Sequence, residues 1–432
     1  MNKLKIGVVG IGRGRNMYEF CMSDSHAELV AVCDKWEDGL REAREIIGRD
    51  SVSYYTDYDE FLKQDMDVVM LANYATEHAP FAIRAMEAGK DVISEVLPAQ
   101  TLSEAVRLIE TVERTGRKYC YAENFCYMGG PREMKRRYLC GDLGTFEYGE
   151  GEYIHNCESI WDRITFGDKT HWRNRMSAFF YCTHSAGPLI HITGKRPVKV
   201  TGFELPFNAR MERMGAMAGF AAVEMVSFED GSMFKSCHGV GPSKNSDWYI
   251  VYGSKGTLET ARETVNPKES TNRVYVNLDK VEGVFGAENQ IHEDYIPSDE
   301  LTEEAAKRGH GGSDYYCLMN AVRYLSGEPA DIIDVYEAID MWLVGFFGYE
   351  SALRGNIPME IPDFRDKAVR DRYRNDNRCT DPAVAGDQLQ PSYSKGNPVI
   401  PDSTYEIWQQ RWQERRRKDL EEAAQKKAAG QK

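Results

Sequence analysis

A doubly wound parallel α/β sheet, followed by an α+β domain with an open, mostly antiparallel sheet, is the fold class predicted by this chain of 432 residues. Three observations predict it. Short apolar runs alternate with helix-length segments over the first 125 or so residues, the pattern of strands covered on both faces. A glycine-rich turn, "GVVGIGRGRN", joins the first run to its helix. From about residue 145 the runs lengthen, some alternate polar with apolar, and hairpin turns replace helical crossovers.

In the first region "LKIGVVG", "ELVAVCD", "DMDVVMLAN", "KDVISEV" and "KYCYAEN" read as strands. Thr101 with Glu104 forms a capping-box pattern, and Gly89 and Gly116 stand where helix C-caps belong. In the second region "TFEYGEGEYIH", "VKVTGFEL", "AAVEMVSFEDGSMFKSCHGV" and "DWYIVYGSKGTLET" read as strands, with a turn at Glu229-Asp230-Gly231. Residues 313–326 and 334–353 are helical and cover one face of that sheet. Residues 361–402 are polar and contain proline, so they read as an extended arm. Ser403 and Glu406 then cap a last helix that sets Tyr405, Trp408 and Trp412 on one face. Such a stripe is expected to dock on the protein's own body or on a sister subunit. The expected divisions are 1–125, 126–360 and 361–432.

Composition narrows the function. With 42% hydrophobic and 28% charged residues the chain is an ordinary globular protein. A net charge of −14 argues against nucleic acid as a partner, because phosphates need a basic face. No run approaches the length of a membrane span. The ten cysteines are scattered without C-x-x-C spacing, and a strand follows the first residues directly, so a cytoplasmic location is expected. His155, His171 and His238 lack ligand spacing, and no metal is assigned.

The glycine turn points to a dinucleotide. Gly10, Gly12 and Gly14, with Ile11 and Arg13 between them, let the backbone approach a pyrophosphate at a helix N-terminus. Arg15 stands where the common fingerprint has its third glycine. Asp34 ends the second strand twenty residues after Gly14, placed to accept both ribose hydroxyls and repel a 2′-phosphate. NAD is therefore the expected cofactor, with NADP kept open by the neighbouring Lys35.

The stretch "MLANYATEHAPFAIRAMEAGKDVISEV" resembles the glucose–fructose oxidoreductase / inositol dehydrogenase / MocA (Gfo/Idh/MocA) family, with Asn73, His78 and Glu95 matching by position. "WYIVYGSKGTLE" (248–259) resembles the strand pair in that family's second domain. The likeness runs to about residue 355. It implies a Rossmann domain, a carbohydrate or glycoside meeting the nicotinamide in an interdomain cleft, and a homo-oligomer through the second sheet. One departure matters: Val96, Leu97 and Pro98 follow Glu95, where typical family dehydrogenases have a lysine that handles the hydroxyl proton.

"ENFCY", "GEYIH", "HWRNR", "YCTHSAGP" and "GHGGSD" together resemble the branch that contains NAD-dependent glycosidases acting on α-N-acetylgalactosaminides. That resemblance implies His184 and Tyr153 as proton carriers. It implies Tyr127, Arg173, Arg175, His310 and Asp314 around the sugar, and Asn124 beside the cofactor. Plainer roles stand next to these: Tyr153 packing in a strand, solvated arginines, and Asp314 favouring a helix dipole. His191, beyond Pro188, reads as a packing histidine. The expected activity is transient oxidation of a pyranoside hydroxyl, at C3, during glycoside cleavage. A stand-alone sugar dehydrogenase and a non-catalytic sugar or nucleotide sensor are the alternatives.

Overall fold

The structure is a computed structural model and describes residues 3–266 and 268–428. Its first sheet holds β1 (Leu4–Val9), β2 (Ala27–Cys33), β3 (Ser53–Tyr55), β4 (Val68–Leu71), β5 (Asp91–Ser94) and β6 (Tyr119–Tyr121). All pairs are parallel, in the order β3-β2-β1-β4-β5-β6. Ile6, Val8 and all four residues of β4 are fully buried, as strands covered by helices on both faces must be. The strand order reverses between β1 and β4, which opens a crevice at their carboxyl ends. Of the six strands, β3 lacks an apolar run; its three residues are only half-buried, which explains its silence in the sequence. The capping box is present: Glu104 N–H donates to Thr101 Oγ1 (3.1 Å) and Thr101 N–H to Glu104 Oε2 (3.3 Å).

The second sheet holds β7 (Phe146–Ile154), β8 (Pro197–Glu204), β9 (Ala222–Phe228), β10 (Met233–Gly239), β11 (Ser246–Gly253), β12 (Gly256–Thr260), β13 (Val274–Asp279), β14 (Gln290–Tyr295) and β15 (Met359–Glu360). Its order is β14-β13-β12-β11-β7-β10-β9-β8-β15, antiparallel throughout except for β7 beside β10. The helices Thr183–Thr193 and Val335–Leu353 lie on one face. On the other face Tyr148, Lys235 and Tyr252 remain partly exposed.

The expected extended arm contains two short helices, Lys367–Asp371 and Pro382–Ala385. It is pinned to the helix Leu102–Thr115 by Arg370–Glu113 (2.6 Å) and Arg374–Glu110 (2.7 Å). The last helix, Asp402–Ala428, starts one residue before Ser403, so Ser403 lies inside it rather than capping it. Its aromatic stripe docks on the protein's own body. Tyr405 and Trp408 are buried, and their polar atoms donate to the carbonyls of Gly215 (3.0 Å) and Arg213 (2.6 Å). Trp412 packs on Phe166, while Arg416 pairs with Glu42 and lies over the Trp36 ring. All ten cysteines are unpaired, and no described helix is long and apolar enough to cross a membrane.

Candidate active site

The glycine turn leaves β1 at the crevice. Gly10 has φ +90°, and a side chain there would sit 2.4 Å from the Ala72 carbonyl, so only glycine fits. Space opens above Gly12, where a Cβ would meet nothing within 4 Å. The following helix, Gly14–Ser23, has no side-chain cap and no acid in its first turn, which leaves its N–H groups and positive end for phosphates. Asp34 is already oriented, accepting the N–H groups of Ile11 and Trp36 at 2.9 Å each. Lys35 is drawn away, with its ammonium over the Tyr74 ring and 3.8 Å from Glu77. Asn73 carries a buried Oδ1 with no partner at the same edge. These features fit a dinucleotide whose adenosine ribose bears free hydroxyls. His78 lies beneath them, its Nδ1 at 2.9 Å from the Leu97 carbonyl, and burial lowers its pKa to about 4, so it supports the loop as a neutral ring.

Arg13 reaches out of the turn across the cleft. Its Nε donates to Glu95 (2.6 Å), and its two terminal nitrogens grip Asp314 (2.8 and 2.7 Å). Asn16 and Asn124 also donate to Asp314, at 2.9 and 3.0 Å, and His310 Nδ1 lies 3.0 Å away. Burial would raise the Asp314 carboxyl, but Arg13 and His310 hold it far below the carboxylate range. Burial likewise opposes the Arg13 charge, which Glu95 and Asp314 more than restore. Asp314, expected at the sugar, therefore has both oxygens occupied and joins the two halves of the cleft. That pairing spans 301 residues and left no mark in the sequence.

His184 occupies the first turn of the helix Thr183–Thr193, and two local features seat it. Gly151 on β7 leaves room for the helix, because a Cβ there would come within 1.9 Å of the Ser185 carbonyl. Pro188 lacks the N–H that would bond the His184 carbonyl, and the Tyr249 hydroxyl donates to that carbonyl instead. The imidazole Nδ1 lies 2.6 Å from Glu123 Oε1. In the tautomer that carries its proton on Nδ1, that nitrogen donates to Glu123 and Nε2 is an acceptor with no hydrogen-bond partner among the described residues. Behind the ring, burial raises Glu224 to about 8 and lowers His238 to about 3, so neither brings a full competing charge at neutral pH.

Tyr153 meets the His184 ring edge-on at 4.5 Å, and its hydroxyl lies 3.1 Å from His155 Nδ1. Burial pushes its phenol well above the ordinary value, with Cys157 and Asp247 adding to the shift. Phe125 closes the other side of His184 at 4.4 Å and reaches toward His310. Tyr181 stacks on His184 and accepts a hydrogen bond from Arg173 (2.6 Å). Arg175 turns to the other side of this segment and lines a separate cavity. Tyr127, expected around the sugar, is instead buried, with its hydroxyl donating to the Asp331 carbonyl. Glu123, His155 and Tyr181 went unassigned in the sequence; Glu123 stood one residue before Asn124, but nothing in the spacing tied it to His184.

Comparison with known proteins completes this picture. Residues 4–123 match the Gfo/Idh/MocA model, described as an oxidoreductase family with an NAD-binding Rossmann fold. Residues 236–370 match the glycosyl hydrolase 109 C-terminal domain. A glycosyl hydrolase family 109 protein of Bacteroides thetaiotaomicron is 26% identical over 405 residues, covering 84% of this chain and 85% of its own. The WlbA dehydrogenase of Bordetella pertussis, solved with NADH and UDP-GlcNAcA, superposes with a TM-score of 0.66 at 19% identity, covering 84% of this chain and 98% of its own. Levoglucosan dehydrogenase in complex with NADH gives 0.68 at 16% identity, covering 84% and 100%. Both share the fold. With a Gfo/Idh/MocA NAD-binding domain matched at one end and a glycosyl hydrolase 109 C-terminal domain at the other, the chain is an NAD-binding enzyme similar to the glycosyl hydrolase family 109 proteins.

Proposed function

We propose that this enzyme cleaves a glycoside by oxidising its C3 hydroxyl transiently, with no net redox change. The observation that carries the reading is the Glu123–His184 pair, 2.6 Å apart, whose Nε2 has no hydrogen-bond partner among the described residues and whose ring Phe125 links to His310 beside Arg13. NAD held along the glycine turn by Gly10, Gly12 and Asp34 would supply a reversible hydride acceptor. His184 takes the proton of the C3 hydroxyl on Nε2 while Glu123 steadies the imidazolium, a division of labour common to carboxylate–histidine pairs. The resulting C3 ketone acidifies C2–H; loss of that proton expels the C1 substituent, water adds across the double bond, and C3 is reduced again. Tyr153, held neutral by burial, donates a hydrogen bond to the ketone oxygen as negative charge collects there, and does not act as a base. Val96 offers no proton where a lysine would, which is why the histidine is assigned that role.

Arg173 and His310 line the sugar in this reading, and a homo-oligomer forms through the exposed face of the second sheet. A dehydrogenase that releases a keto-sugar uses the same groups and differs in never returning the hydride. Incubation with 4-nitrophenyl glycosides separates the two. Nitrophenol released without accumulating NADH supports the proposal, accumulating NADH supports the dehydrogenase, and neither signal with nucleotide bound leaves a sensor.

A further inference from the structure

The segment 171–181 separates two cavities. On one side lies the small recess lined by Tyr153, Arg173 and Tyr181. On the other lies a cavity of about 120 Å³ whose walls are the rings of Trp172, Phe180, Trp342 and Phe346. Met176 and Ser177 line both. The far wall comes from the arm, through Arg378, Asp381 and Gln390, which stand beyond the last residue matched by either family model.

The two arginines of this lining differ in their partners. Arg378 is held by Asp376 at 2.7 Å and by Glu350. Asp381, the sole acid of the lining, accepts the Ala383 N–H at 2.9 Å to start the helix Pro382–Ala385. The Arg175 guanidinium has no hydrogen bond or ion pair among the described residues. Trp172 Nε1–H and Gln100 Oε1 are buried without partners, one spare donor and one spare acceptor on the same lining. Polar groups left so are costly and mark a place where a ligand or water completes the set.

We propose that this arm-walled cavity holds the leaving group of the glycoside, and that the group is a carboxylate-bearing ring. Size limits the occupant to one ring: an engineered protein cavity of about 150 Å³ takes one benzene. The aromatic walls suit its faces, and one uncommitted arginine matches a monoanion better than a doubly charged phosphate. Met176 and Ser177 line both spaces, so the cavity adjoins the recess beside Tyr153 and Tyr181 where the sugar would lie. The assignment rests on the glycoside reading above.

Two measurements on the NAD-loaded full chain test it. Benzoate should quench tryptophan fluorescence saturably, benzamide should bind far more weakly, and Arg175→Gln should weaken benzoate binding at least tenfold, with Arg175→Lys between. Among aryl glycosides, the wild type should show a lower KM for a ring bearing a carboxylate than for the neutral ring, and Arg175→Gln should erase that difference. If aryl glycosides are cleaved but benzoate does not bind, or binds Arg175→Gln equally well, the cavity assignment fails while the glycoside reading stands. If no glycoside is cleaved, the glycoside reading fails and, with it, the leaving-group role; saturable benzoate binding lost in Arg175→Gln would then leave only an anion site.

Discussion

Two buried histidines on one helix, His184 and His191, stand in opposite settings. His184 has one ring nitrogen on Glu123 and the other without a hydrogen-bond partner among the described residues. His191 has both occupied: Nδ1 lies 2.7 Å from Glu337, and Nε2 lies 3.3 Å from Asp331 and 2.8 Å from the Lys135 ammonium. Burial and Lys135 oppose a charge on His191, but Glu337 and Asp331 outweigh them and raise its pKa above the ordinary value. Asp331 is correspondingly depressed. A histidine whose second nitrogen is vacant can move a proton; one with every lone pair and hydrogen committed holds elements together. Residue type does not separate these roles, and the partners do.

Breaking the open end should have the largest effect. His184→Ala removes the base and should lower kcat by about a hundred- to ten-thousandfold, with NAD retained as read by its absorbance after gel filtration. Glu123→Gln keeps the size but favours the wrong tautomer, so kcat should fall on the order of a hundredfold with an altered pH–rate profile. A fall in kcat without a change in that profile would reduce Glu123 to packing. Tyr153→Phe deletes one hydrogen-bond donor and should cost about tenfold in kcat.

The closed end should answer through stability alone. His191→Ala should leave kcat within about twofold, yet lose about 1–3 kcal/mol in urea unfolding near pH 6, where the histidine is charged between its two acids. Because the folded pKa is raised, this contribution is fully present below the unfolded value and fades as pH rises through the folded one. The deficit of the variant should therefore shrink by about pH 9. A deficit that grows with pH would mean that His191 is neutral in the fold.

The cofactor end was legible because its constraints are local. Gly10 answers to a positive φ beside Ala72, and Asp34 to the end of β2, both within a short reach of chain. The sugar end is assembled from distant segments. Glu123 meets His184 across 61 residues, a contact set by how the helix Thr183–Thr193 sits on Gly151 and not by any spacing. Tyr127 shares "ENFCY" with Phe125, but the turn Asn124–Tyr127 sends Phe125 onto the His184 ring and Tyr127 to the Asp331 carbonyl. Arg173 and Arg175 look equivalent in "HWRNR", and the chain separates them onto two cavities.

The proton removed from C2 gives the most direct test of the whole account. When an aryl glycoside that the enzyme cleaves is turned over in heavy water, the released sugar should carry one solvent deuterium on C2, and His184→Ala should abolish both cleavage and label. Cleavage that leaves C2 wholly protiated would show direct displacement at C1 and contradict the proposed redox cycle.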